Sequence, residues 1–204
     1  GTEFILLGKC DKAREYLEKA LAIQKEIGDR DEEGTSYCNL GILFRSLGNY
    51  DKAREYLEKA LAIKIEIGHR EGEAAVYGNL GTMFILLGKC DKARVYLEKA
   101  LAIQIEIGNK NGEGTSYEKL GILFLSLDNY DKAREYLEKA LAIQIEIGDK
   151  DEEAASCGNL GCVFIWLGKY DKAREYLEKS LAIKIEIGDR EGEAEIYENL
   201  QEVL

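Results

Sequence analysis

Two hydrophobic rhythms run along the chain. Between Glu73 and Leu87 the apolar residues Tyr77, Leu80, Phe84 and Leu87 fall at steps of three and four, the spacing that lines one face of an α-helix. Between Asp91 and Ile107 a second stripe follows, made of Ala93, Tyr96, Leu97, Ala100 and Leu101. The end of this stripe keeps a different beat. In LAIQIEIG (Leu101–Gly108), Ile103, Ile105 and Ile107 alternate with Gln104 and Glu106, as in a half-buried strand. Context decides against a strand. The residues before it are strong helix formers, and no turn signal separates them from LAIQIEIG. The segment is therefore expected to be the last two turns of a helix. Gly108 sits where a left-handed C-cap belongs, and Asn109, like Asp29, Asp149 and Asp189, where the next N-cap belongs.

Both stripes belong to one repeating unit of 40 residues. DKAREYLEKALAI occurs at Asp11–Ile23, Asp51–Ile63 and Asp131–Ile143, and with one change each from Asp91 (Val95) and from Asp171 (Ser180). NLG follows at Asn39, Asn79 and Asn159, and Lys119-Leu120-Gly121 fills the remaining slot. A fixed period of this length is the signature of a stacked repeat architecture. The expected helices are 11–27, 31–47, 51–67, 71–87, 91–107, 111–127, 131–147, 151–167, 171–187 and 191–204, after a shortened helix over 1–7 that Gly8-Lys9 ends. Connections of two to four residues make successive helices antiparallel neighbours. The expected fold is all-α, a single array over 1–204.

The combination Tyr77-x2-Leu80-Gly81-x2-Phe84, then Ala93-x3-Leu97 and Ala100, resembles the tetratricopeptide repeat. That resemblance implies a right-handed superhelical solenoid of helix hairpins. The glycines Gly41, Gly81, Gly121 and Gly161 would let the two helices of a hairpin approach, with Ala53, Ala93, Ala133 and Ala173 as the facing flat spots. The usual proline after the second helix is missing and that helix is six residues longer. The 40-residue form is similar to LGN/Pins-type polarity adaptors and kinesin light chains, which are non-catalytic adaptors that bind peptides in a concave groove. The final helix departs from its siblings. Gln201 replaces the glycine, and Glu195, Glu198 and Glu202 replace Ala75, Gly78 and Thr82. This suits a solvated cap near the natural end of the array, and the opening Gly1-Thr2-Glu3 reads as a cut N-terminus.

Composition narrows the function. The net charge of −11 argues against a nucleic-acid partner, which needs a concentrated basic face. No apolar run is long enough for a membrane span or a signal-peptide core. The acidic links GDRDEE and GDKDEE read as helix-start carboxylates and solubilising charge, with an acidic recognition edge as the other possibility. Five cysteines follow no zinc spacing, and Cys10, Cys90 and Cys157 occupy slots that hold tyrosine elsewhere. Packing thiols suggest a reducing compartment, the cytoplasm. No catalytic, metal or cofactor constellation is expected. His69, the sole histidine, stands in a cap slot held by aspartate or asparagine in the other links.

Function in such an array lies where repeats differ on a shared surface. The family resemblance assigns the groove to the first helix of each hairpin. Its series are Thr35, Ala75, Thr115 and Ala155; Cys38, Gly78, Glu118 and Gly158; Asn39, Asn79, Lys119, Asn159 and Asn199; Ile42, Thr82, Ile122 and Cys162; and Arg45, Ile85, Leu125 and Ile165. The last two are mostly apolar, which usually means a partner. The charged clamp that some family members use for a C-terminal carboxylate is missing, because Cys38, Gly78, Ile42 and Thr82 fill its slots. The asparagine ladder would hold a peptide backbone, or each amide would bond a neighbouring helix. Trp166 would anchor a ligand or pack at an edge. Ile65, Ile105, Ile145 and Ile185 share a slot with Lys25. They would pack on the next hairpin or form an outer contact ridge. The expected partner is a protein or peptide segment. The rival expectation is a structural or self-assembling array, a homo-oligomer joined end to end or by helix exchange.

Overall fold

A computed structural model describes residues 2–203, with side chains from Cys10 to Val203. Among these the chain is all-α, of the repeat-solenoid class, and it divides into two compact units at Ile103 and Gln104. The first unit holds α1 (Thr2–Ile27), α2 (Arg30–Ser46), α3 (Tyr50–Glu66), α4 (Arg70–Leu86) and most of α5 (Cys90–Glu106). The second takes the last turn of α5, then α6 (Lys110–Leu125), α7 (Tyr130–Ile147), α8 (Lys150–Trp166), α9 (Tyr170–Ile187) and α10 (Arg190–Gln201).

Six of the helix starts among the described residues carry a side-chain cap. The side chains of Asp29, Asn49, Asn109, Asn129, Asp149 and Asp189 accept a hydrogen bond from a backbone N–H three residues on. This satisfies one of the donors that a helix start leaves open. Gly148 (φ 73°) and Gly188 (φ 77°) close α7 and α9 in the left-handed region, which a side chain would resist. LAIQIEIG is helical through Glu106, so the alternating segment is the tail of α5.

The core repeats with the sequence. Leu40, Leu57, Leu80 and Leu97 in the first unit, and Leu120, Leu137, Leu160 and Leu177 in the second, are fully buried. Aromatic rings seal each hairpin. Tyr56 lies 6.0 Å from Tyr37 and stacks at 5.4 Å on Phe44, and Tyr96 stands likewise between Tyr77 and Phe84. The α8–α9 hairpin keeps only the Phe164–Tyr176 stack, because Cys157 takes the other tyrosine's place and is buried there.

Two expectations need correction. The break at Gly8-Lys9 does not occur, and α1 runs unbroken from Thr2. The few residues before Gly8 are too short to nucleate a helix alone, whereas extending an existing helix adds a hydrogen bond per residue. The last helix stops at Gln201 rather than running to the end. The chain then turns in, Val203 is buried, and Arg174 Nη2 donates to its carbonyl at 2.9 Å.

Candidate functional site: the first-helix faces

In both units the expected groove series lie on one type of helix and are partly open to solvent. Thr35, Cys38, Ile42, Arg45, Asn79, Thr82 and Ile85 are half-buried in the first unit, while Asn39 and Ala75 are exposed. In the second unit Lys119, Leu125, Ala155, Asn159, Cys162, Ile165 and Asn199 are half-buried, Ile122 is exposed, and Glu118 is buried. Hollows open between these faces and the helices that follow them, beside Cys38 in the first unit and Gly158 in the second.

These hollows form two cavities. One of about 220 Å³ is lined by Thr35, Cys38, Asn39, Lys64, Gly72 and Ala75 among others. Another of about 370 Å³ is lined by Ala155, Gly158, Asn159, Lys184, Gly192 and Glu195 among others. The six positions correspond one for one, displaced by three repeats.

The asparagine amides reach neighbouring helices. Asn79 Nδ2 donates to Ala75 O (3.1 Å) and lies 3.6 Å from Cys38 Sγ, while Arg45 Nη1 donates to Asn79 Oδ1 at 3.5 Å. Asn159 Nδ2 donates to Glu118 Oε1 at 3.3 Å. Trp166 is 66% exposed and stacks on Tyr130 at 6.0 Å with the rings 4° from parallel. The stack belongs to the preceding turn.

A buried polar slot lies under each cavity, and the reading of the sequence missed it. In the first unit Lys64 is 3% exposed. Its Nζ donates to Asp31 O (2.9 Å), Asp31 Oδ1 (2.7 Å) and Thr35 Oγ1 (3.0 Å). His69 is the N-cap residue of α4, yet its side chain does not cap; its Nδ1 lies 2.6 Å from Asp31 Oδ1. Lys64 first, and His69 with it, hold the Asp31 carboxyl below the usual carboxylate range. A Cβ on Gly72 would come within 2.7 Å of the Lys64 stem, so glycine lets that stem pass. In the second unit Gln104, Gln144 and Lys184 hold the equivalent slot, and Lys184 Nζ pairs with Asp189 at 2.8 Å. The available signal was a position between two apolar flanks that stays polar in every repeat.

The alternation of LAIQIEIG does not survive in space: Ile103 and Gln104 are buried, and Ile105, Glu106 and Ile107 are exposed. Gln104 and Gln144 are buried, while Ile65, Ile105, Ile145 and Ile185 are 50 to 56% exposed. These isoleucines stand out from the surface.

Glu118 is the most perturbed side chain of the second unit. It fills the slot that holds Cys38, Gly78 and Gly158, so its carboxyl is forced inward. Burial, together with a hydrogen bond to Glu152 and the charge of that carboxylate, pushes its pKa up to about 8. Lys119 and the Asn159 amide act in the opposite direction. Burial likewise raises the Cys162 thiol, helped by the charges of Glu195 and Glu202.

Among the described residues no His, Cys, Asp or Glu group is arranged to hold a metal, and no helix is long and apolar enough to cross a membrane. Two models of the tetratricopeptide repeat match the chain, one over residues 4–66 and 72–146 and one over 154–187. No curated protein matches it. Among solved structures it is similar to BtubC (BKLC) from P. vanneervenii, at 28% identity over 89% of this chain and 75% of that one, with a TM-score of 0.79. The fold is shared with aspartyl phosphate phosphatase F from Bacillus subtilis, at 20% identity over 94% and 51% of the two chains and a TM-score of 0.86. It is shared as well with the nearly identical TPR-like repeats of a Podosopora anserina protein named as a kinesin light chain, at 23% identity over 92% of each and a TM-score of 0.70.

Proposed function

The chain belongs to the tetratricopeptide repeat family, and on that footing we propose that it is a non-catalytic, cytoplasmic interaction scaffold. Its ligand is an extended or helical peptide segment of another protein, held along the first-helix faces of one array over 1–204. The supporting observation is the pair of repeat-equivalent cavities, one in each unit, on helices whose exposed residues differ between repeats. The second helices offer no such variety. They repeat the pairs Lys59–Glu55, Lys139–Glu135 and Lys179–Glu175 at 2.6 to 2.7 Å, solvated contacts of about 0.2–0.5 kcal/mol each. The proposed contact set is Asn39, Asn79, Lys119, Asn159 and Asn199 with Ile42, Thr82, Ile122, Arg45, Ile85, Leu125 and Ile165. Peptides selected from a library on the chain should bind roughly tenfold more weakly or worse to the Ile85→Glu, Ile165→Glu double variant. Unchanged affinity, with the helical signal intact, would place the ligand elsewhere.

A second reading, self-assembly, draws on α1. Its Tyr16 and Ile23 are 69% and 57% exposed, whereas Ile63, the counterpart of Ile23, is 5% exposed. This is the face that α3 packs against α2, and a first-type helix of a second copy would suit it. α10 offers an exposed Tyr197 but carries Gln201 where that packing needs glycine. Light scattering over a wide concentration range should show mass growing with concentration if copies join. A constant monomer mass would exclude this reading.

A further inference from the structure

The cavity of the second unit differs from its counterpart in charge. Its floor is small and apolar, formed by Ala154, Gly158 and Ile196, with the buried Ser180 hydroxyl already donating to Ala154 O at 2.8 Å. Its one lining cation, Lys184, is held by Asp189 at 2.8 Å and Asp151 at 3.6 Å. Glu191 and Glu195 stand exposed at the rim, and among the described residues neither is in an ion pair. In the first unit Ala75 stands where Glu195 stands here. The negative field reaches the cavity wall, since Glu195 and Glu202 both help to raise the Cys162 thiol.

We propose that the α8–α9–α10 cavity receives a lysine or arginine side chain of the bound peptide, its stem on Gly158 and Ile196 and its charge at Glu191 and Glu195. The inference rests on the groove reading and adds the ligand's chemistry. A cavity of about 370 Å³ lies within the size range of small-ligand sites, roughly 300–1,000 Å³. An aliphatic stem with a charged head matches an apolar floor below an acidic rim.

The test uses three labelled peptides of about a dozen residues, read by fluorescence anisotropy. One alternates lysine with alanine and leucine; the others carry glutamine or glutamate in place of lysine. The lysine peptide should bind the chain at least about tenfold tighter than the glutamine peptide, and the advantage should fade at about 0.5 M salt, as expected of charge pairing. Glu191→Gln with Glu195→Gln should remove the advantage and leave glutamine-peptide binding unchanged. Glu98→Gln with Glu138→Gln, the same charge change on second helices, should keep the advantage and leave glutamine-peptide binding unchanged as well. If both double variants weaken lysine-peptide binding equally, the attraction is general and the cavity is not its site. If the glutamine peptide binds as tightly as the lysine peptide, this inference falls and the groove reading stands. Should none of the three bind, both fall.

Discussion

Replacing Leu97 by alanine is expected to destabilise the chain by about 2–5 kcal/mol, replacing Gly81 by alanine by about 1–2 kcal/mol, and making both changes by clearly less than the sum. The reason is one contact. Leu97 is fully buried, and a Cβ on Gly81 would lie 2.6 Å from its Cγ and Cδ2 and 3.4 Å from Ala93 O. Alanine at an open mid-helix site would stabilise by up to about 1 kcal/mol relative to glycine. The clash reverses that sign, since either the leucine leaves its rotamer or the two helices part. With Leu97 cut back to alanine the space exists, and the propensity gain returns. Urea midpoints followed by circular dichroism would show a coupling of about 1–3 kcal/mol. The same geometry recurs at Gly41 with Leu57, Gly121 with Leu137 and Gly161 with Leu177, so any of the four hairpins serves. A stabilised Gly81→Ala would mean that close helix approach is not what glycine provides.

The close approach behind that contact was legible in the sequence because it is local in the repeat, although alanine rather than Leu97 was the expected facing residue. Glycine at a fixed place in one stripe and alanine at a fixed place in the next imply two backbones drawn together. Legible for the same reason were helix starts, since Asp29, Asn109, Asp149 and Asp189 are N-cap residues by type and place. The fate of LAIQIEIG was legible only in part. On a helical wheel Gln104 falls inside the stripe, between the flank of Ile103 and Ile107 and the flank of Ile105. What a polar side chain meets in that slot depends on a third helix. In the first unit, the Lys64 stem runs under Gly72 of α4 to reach Asp31 of α2, contacts set by hairpin stacking. His69 illustrates the same limit. Its cap position was readable, while its bond to Asp31, 38 residues away, came only with the stacking. The groove series could be placed on their helices from the resemblance, but the cavity of the second unit depends on how Gly158 and Ser180 meet Ile196, which no single repeat contains.

Glu118→Gln should stabilise the chain at neutral and alkaline pH and leave it nearly unchanged in acid. Glu118 carries a folded pKa of about 8, against 4.5 for an ordinary glutamate. Below 4.5 the carboxyl is protonated whether the chain is folded or not, and Glu118 imposes no pH dependence. As pH rises from there to 8 the unfolded chain gives up this proton and the folded chain keeps it. Folding then takes up a proton, so stability falls by about 1.4 kcal/mol for each pH unit. Above 8 both states are ionised, the penalty is complete at a few kcal/mol, and the curve flattens. Glutamine fills the same space and can donate its amide to Glu152 without ever ionising. Urea midpoints of the two proteins should therefore coincide near pH 4 and diverge steadily up to pH 8, the variant above. Parallel curves across that range would show that Glu118 ionises in the folded chain as an ordinary glutamate does. A Glu152→Gln variant locates the cause. It removes the neighbouring negative charge and leaves burial as the main force on Glu118, so the divergence should begin at the same pH and end at a lower one.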